Sequence, residues 1–159
     1  MSLLVLLSFM VGQLGPEAKV SIRIVPAKPV ADGKTMFDVE ATVVDAQGKP
    51  IANAPVRFDA DGYAQAPDGT IVGSLRDMKR CVDYLALMPV LTPAGGVGGL
   101  WNGRSVTTTL EVRTNKNGIA RAPYKPPPWR DYMARIPTRV TASYQTPDST
   151  NIQFIKPKD

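Results

Sequence analysis

The sequence predicts an all-β fold, an antiparallel sandwich, on three observations. Apolar and polar residues alternate in several short runs, turn-forming residues separate the runs, and 15 Pro and 13 Gly punctuate a chain of 159 residues. One stretch carries the pattern most plainly. Phe37, Val39, Ala41 and Val43 alternate with Asp38, Glu40, Thr42 and Val44, the period of a strand with one buried face and one largely wet face. Residues 45–49 stop the run: Asp45 bonds readily to its own nearby backbone, Gly48 accepts positive φ, and Pro50 fixes φ as the chain leaves. Alternation resumes in Val56, Phe58 and Ala60 against Arg57 and Asp59.

The remaining strands follow in order. Val20, Ile22 and Ile24 alternate with Ser21 and Arg23, and Val106, Thr108, Leu110 and Val112 alternate with Thr107, Thr109, Glu111 and Arg113 as one further strand. Asn115, Lys116, Asn117 and Gly118 form a second turn, after which Ala120, Ala122 and Tyr124 line one face. Val140, Ala142 and Tyr144 give another strand, residues 145–149 a turn, and Ile152 with Phe154 close the set. About seven short strands with turn signals between them describe an immunoglobulin-like antiparallel β-sandwich.

One long insertion, residues 61–105, interrupts that rhythm and exceeds what a structureless connection usually spans. Within it Ser74 and Asp77 fit a helix-start capping box, and Leu75, Met78, Val82 and Leu85 form one apolar face, which predicts a short helix over residues 75–87 ended by Pro89. The Gly-rich run that follows has no Lys-Ser or Lys-Thr after it and no strand-to-helix context, so it is a poor phosphate cradle. Leu100 and Trp101 on that tether read either as partner contacts or, for Trp101, as a cap over the open end of the sandwich. Pro126, Pro127 and Pro128 precede Trp129, Arg130, Asp131 and Tyr132; this stiff segment is either a recognition surface bearing Trp129 and Tyr132 or a rigid crossover between sheets.

One domain is expected, the sandwich over residues 19–159, preceded by an apolar tail over residues 1–18. Residues 1–16 hold no charged side chain, and Leu3, Leu4, Leu6, Leu7 and Phe9 are candidate partner contacts. The run resembles the hydrophobic part of a secretory signal, although no Lys or Arg precedes it and no small-x-small site follows. It is also shorter than the roughly 20 residues a spanning helix needs. An anchor, a docking segment or a signal-like segment are the readings, with membrane contact through residues 1–15.

Composition narrows the chemistry. With no His, the usual proton shuttle and imidazole ligand are missing, and the single Cys81 has no identifiable base, so no catalytic residue is expected. Asp59, Asp61 and Asp68 fit a polar loop more simply than a cation site, and neither metal nor cofactor is expected. A net charge of +5 is dispersed along the chain rather than gathered with aromatics, which argues against nucleic acid, and no small-molecule substrate is indicated.

The motif Asp45-x-x-Gly48-x-Pro50-Ile51-x-x-Ala54-x-Val56-x-Phe58, then Thr114-x-x-x-Gly118-Ile119-Ala120 and Val140-Thr141-Ala142, resembles the bacterial Ig-like domain of the invasin and intimin type. Ala31-Asp32-Gly33-Lys34 resembles that family's lead-in to its second strand, and the likeness covers residues 19–156 apart from the insertion. The resemblance implies a habit of building cell-surface or virion structures and offers no catalytic residues. The expected function is a non-enzymatic accessory subunit that joins other protein subunits of a membrane-associated assembly in the cell envelope. A capsid-decorating or tail-associated virion protein is one alternative. A glycan-binding adhesin module using Tyr63, Trp101, Trp129 and Tyr132 as stacking platforms is another.

Overall fold

A computed structural model describes residues 17–60, 63–65, 71–74, 90–91, 98–129 and 138–159, with residues 63–65, 71–74 and 90–91 described by their backbone alone. Among them lie β1 (Lys19–Val25), β2 (Phe37–Val44), β3 (Pro55–Ala60), β4 (Tyr63–Gln65), β5 (Ile71–Ser74), β6 (Val90–Leu91), β7 (Gly99–Trp101), β8 (Val106–Thr107), β9 (Thr109–Arg113), β10 (Ile119–Lys125), β11 (Thr138–Tyr144) and β12 (Thr146–Ile152). A five-stranded sheet runs β1-β2-β10-β7-β8 and a four-stranded sheet β12-β11-β3-β9, every pairing antiparallel. Strands β4, β5 and β6 pair as a small third sheet. The helix expected over residues 75–87 and Cys81 lie outside the described residues, and no helix occurs among those described.

Alternation builds the core as the sequence predicts. Val39, Ala41 and Val43 of β2, Val56 and Phe58 of β3, Ala120, Ala122 and Tyr124 of β10, and Val140 and Ala142 of β11 are all fully buried in one cluster between the two sheets. Phe37 stacks on Tyr124 with ring centroids 4.8 Å apart, and Phe154 meets Phe37 edge-on at 6.0 Å. Aromatic pairs at such spacings add to the area they bury.

The two turns that carry the family motif share one construction. Asp45 Oδ1 accepts from the N–H of Gln47 at 2.9 Å and of Lys49 at 2.8 Å, while Asn115 Oδ1 accepts from Asn117 at 2.9 Å and Ile119 at 3.1 Å. Each short polar side chain stands in for the missing ladder partner. Gly118 then presses on β2: its N–H and φ of +73° complete the turn, and a Cβ there would lie 2.6 Å from the Val43 carbonyl oxygen. Thr114 ties the motif together, its hydroxyl accepting from Ala54 N–H at 2.8 Å and donating to the Ile51 carbonyl at 2.7 Å.

Several expectations are corrected. The sandwich sheets hold nine described strands rather than about seven, because residues 106–113 divide into β8 and β9 and the insertion returns as an extra strand, β7. Residues 106–113 form two strands, not one. Thr107 Oγ1 donates to the Thr109 carbonyl at 3.0 Å and accepts from Thr109 N–H at 3.3 Å, so the side chain replaces ladder bonds where the chain passes from one sheet to the other at Thr108. The turn expected over residues 145–149 contracts to Gln145 alone, at φ 61°, with Tyr144 already opposite Thr146. Pro147 is tolerated in β12 because that strand is a sheet edge.

Strand β1 is an edge of the five-stranded sheet, and Gln145 with the start of β12 covers it with side chains rather than with a ladder. Gln145 Oε1 accepts from Ala18 N–H at 3.0 Å, Thr146 Oγ1 donates to the Ala18 carbonyl at 2.9 Å, and an Asp148 carboxylate oxygen accepts from Ile22 N–H at 3.0 Å. Polar groups that would otherwise invite edge pairing are thereby satisfied within the chain.

Candidate interaction face

Register across the five-stranded sheet decides which side chains share its outer face. Residues directly opposite in neighbouring strands point the same way. Because Ile24, Phe37, Tyr124 and Leu100 face the core, the positions next to them face out. One outward row is Val25 opposite Asp38 opposite Pro123, continuing by the same pairing through Trp101 to Val106. The row before it is Arg23, Glu40 and Arg121. Beyond, Met36 and Lys125 extend the face at its end; Val25 is 38% and Met36 41% exposed.

This face sits at one pole. Lys19 pairs with Val44 at the end that carries the 45–49 and 115–118 turns, whereas Val25, Lys125 and Trp101 lie at the other end, about 20 Å away at strand rise. Strand β3 of the four-stranded sheet ends at this pole at Ala60 and β7 of the five-stranded sheet begins there at Gly99, so the chain leaves the sandwich for the insertion and rejoins it at this pole.

Glu40 is the largest departure from the expected wet face of β2. Its side chain is only 6% exposed, and it lies between Arg23, Nη2 at 2.6 Å from Oε2, and Arg121, Nε at 2.7 Å from Oε1. The Arg121 hydrogen bond above all, against the opposing effect of burial and with help from Arg23, holds the Glu40 carboxyl below its ordinary value. A depressed carboxylate contributes stability that is present above the unfolded-state value and is lost as pH falls through the folded one. Glu40→Gln is therefore expected to lower stability at neutral pH by about 1 kcal/mol, discounted because both arginines are largely exposed. Urea titrations at a series of pH values should show that difference shrinking below pH about 4 as the wild-type carboxylate protonates.

The sequence-predicted contacts fare differently. Leu3, Leu4, Leu6, Leu7, Phe9 and Tyr132 lie outside the described residues. Leu100 is fully buried in the core rather than presented on a tether, because β7 pairs with β10, Leu100 opposite Tyr124, and alternation then sends Leu100 in and Trp101 out. Trp101 is half-buried, with the Lys125 ammonium 5.7 Å from its ring centroid. Trp129 is half-buried, next to the proline run. Pro126 and Pro127 are fully buried, and the Pro127 carbonyl accepts from Gly33 N–H at 3.1 Å, so this part of the run works as a rigid crossover. Asp59 is held by Arg57 at 3.0 Å and by the Thr109 hydroxyl at 2.9 Å; Asp61 and Asp68 lie outside the described residues. Among the described residues no group of three or more His, Cys, Asp or Glu is placed to hold a metal ion, and no helix is long and apolar enough to cross a membrane.

Sequence reasoning passed over Val25, Met36 and Pro123. The signal was present: each is apolar at the parity of its strand's polar face, Val25 in step with Arg23, Met36 with Asp38 and Pro123 with Arg121.

Two antiparallel sheets closing on one apolar core define this molecule as an immunoglobulin-like β-sandwich. Over residues 19–72 the chain matches the family model of the bacterial Ig-like domain (group 1). Such domains serve as interaction modules, are generally non-enzymatic, and are typically extracellular or surface-exposed. No curated protein matches the chain. Among solved structures, a DUF4466 family protein from Parabacteroides merdae ATCC 43184 is similar at 10% identity and a TM-score of 0.32, over 86% of this chain and 42% of that one. A likeness that distant carries no argument about function.

Proposed function

We propose that this chain is a non-enzymatic accessory subunit, an Ig-like interaction module that attaches to and stabilises a larger membrane-associated assembly of the cell envelope. The observation that carries the reading is that the chain enters the sandwich at one pole and departs from it into the insertion at the other. The described fold begins at Glu17 beside the turn pole, while β3 ends, β7 begins and the apolar row lies at the opposite pole. One end serves attachment, through other subunits or membrane contact by residues 1–15, and the other serves recognition.

Co-purification tests the proposal. A chain lacking residues 1–15 should fold, by circular dichroism, yet be lost from the assembly recovered with the full chain. Full retention of the shortened chain would overturn the attachment role.

A further inference from the structure

We propose that the outer face of the five-stranded sheet, at the pole where the insertion leaves and returns, docks a protein partner whose apolar side chains are ringed by carboxylates. The inference deepens the accessory-subunit reading and rests on it. Its apolar part is Val25, Pro123, Trp101 and Val106, contributed by four of the five strands with Asp38 of β2 between Val25 and Pro123 and Met36 beside the row, and a row of this kind is more than the scattered apolar residues of an ordinary surface.

Charge selects the occupant. Arg23, Arg121 and Lys125 surround the row, and the face has two carboxylates, Glu40 and Asp38. Glu40 is buried and already engaged by both arginines through Arg23 Nε and Nη2 and Arg121 Nε, so the exposed rim is basic. A partner that brings carboxylates to this rim gains complementary charge, which fixes partner and register more than it adds raw affinity.

Two other occupants fit less well. A sugar ring stacks on an open aromatic face, and Trp101 already holds the Lys125 ammonium at 5.7 Å. An anionic lipid surface presents one sign of charge, and Asp38, half-buried between Val25 and Pro123, would face it with the same sign. A protein surface can set a donor against Asp38 and carboxylates against its neighbours.

The test uses the purified full chain and three immobilised probes: synthetic peptides in which Leu or Phe is flanked by Glu, Lys or Gln; phosphatidylglycerol vesicles; and bacterial cell-wall glycan. Glu-flanked peptides should be retained about ten-fold better than the Lys- or Gln-flanked sets, with the preference fading at high salt. Lys125→Glu and Met36→Glu should each remove about ten-fold of that retention at unchanged melting temperature, while Lys116→Glu at the opposite pole should remove none. Equal retention of the three peptide sets would overturn the proposal. So would a preference for vesicles or glycan that Lys125→Glu abolishes. The wider reading fails separately: if the chain still runs in a larger native complex when the peptide test is negative, only the face is wrong.

Discussion

Gly98→Ala should destabilise the fold by about 3 kcal/mol or more, lowering the melting temperature by about 6–12 °C for a chain of this length. Gly98 has φ +89°, which an L side chain adopts only under strain. A Cβ there would also lie 2.6 Å from Pro127 Cδ and 2.7 Å from the Lys125 carbonyl oxygen, and neither atom belongs to a side chain that can swing away. The strain and the overlap fall where the insertion rejoins the sandwich as β7, so β7 must shift. Trp101, the next outward residue of that strand, should change its fluorescence in step. Gly48→Ala is the control: φ is +83°, yet nothing lies within 4 Å of its Cβ, so it should lose only about 1 kcal/mol. Equal losses for the two variants, by thermal melts read at the tryptophan band, would mean that β7 is not seated on the proline crossover.

Phe58→Ala should remove about 3–5 kcal/mol, read as a lower urea midpoint at unchanged slope. Phe58 is fully buried at the centre of the four-stranded sheet, opposite Leu110 in β9 and Ala142 in β11. Its neighbours are held by ladders on both sides and cannot collapse onto the cavity. Small domains are typically stable by about 5–15 kcal/mol, so the variant should fold but with little margin. Leu110→Ala, on a half-buried partner in the same row, should cost clearly less. A loss below about 1 kcal/mol at Phe58 would show that the two sheets do not share the core described here.

Much of the fold was legible because it rests on local rules. The alternation of Phe37 to Val43 and of Ala120 to Tyr124 reports one buried face, and the Asp45 and Asn115 turns are built from their own side chains. What escaped were decisions taken between distant residues. Nothing near Thr108 in sequence announces that β8 and β9 belong to different sheets, since the choice depends on pairing with β7 and β3. Gln145 replaces a five-residue turn because its side chain finds Ala18, 127 positions away. Leu100 looked like a tethered contact because its short strand is defined by pairing with β10 and β8. For the interaction face, Trp101 was visible as a large aromatic beside glycines. Val25 of β1, Met36 just before β2 and Pro123 of β10 become one surface with it only through register.

The measurement that bears most directly on an interaction module is the native mass of the full chain extracted gently from its source, by native mass spectrometry with electron microscopy of the same fraction. A species well above the monomer mass that contains other protein subunits, together with membrane-fraction recovery, is the expected result. A chain that runs only as a free monomer, without any protein partner, would contradict it.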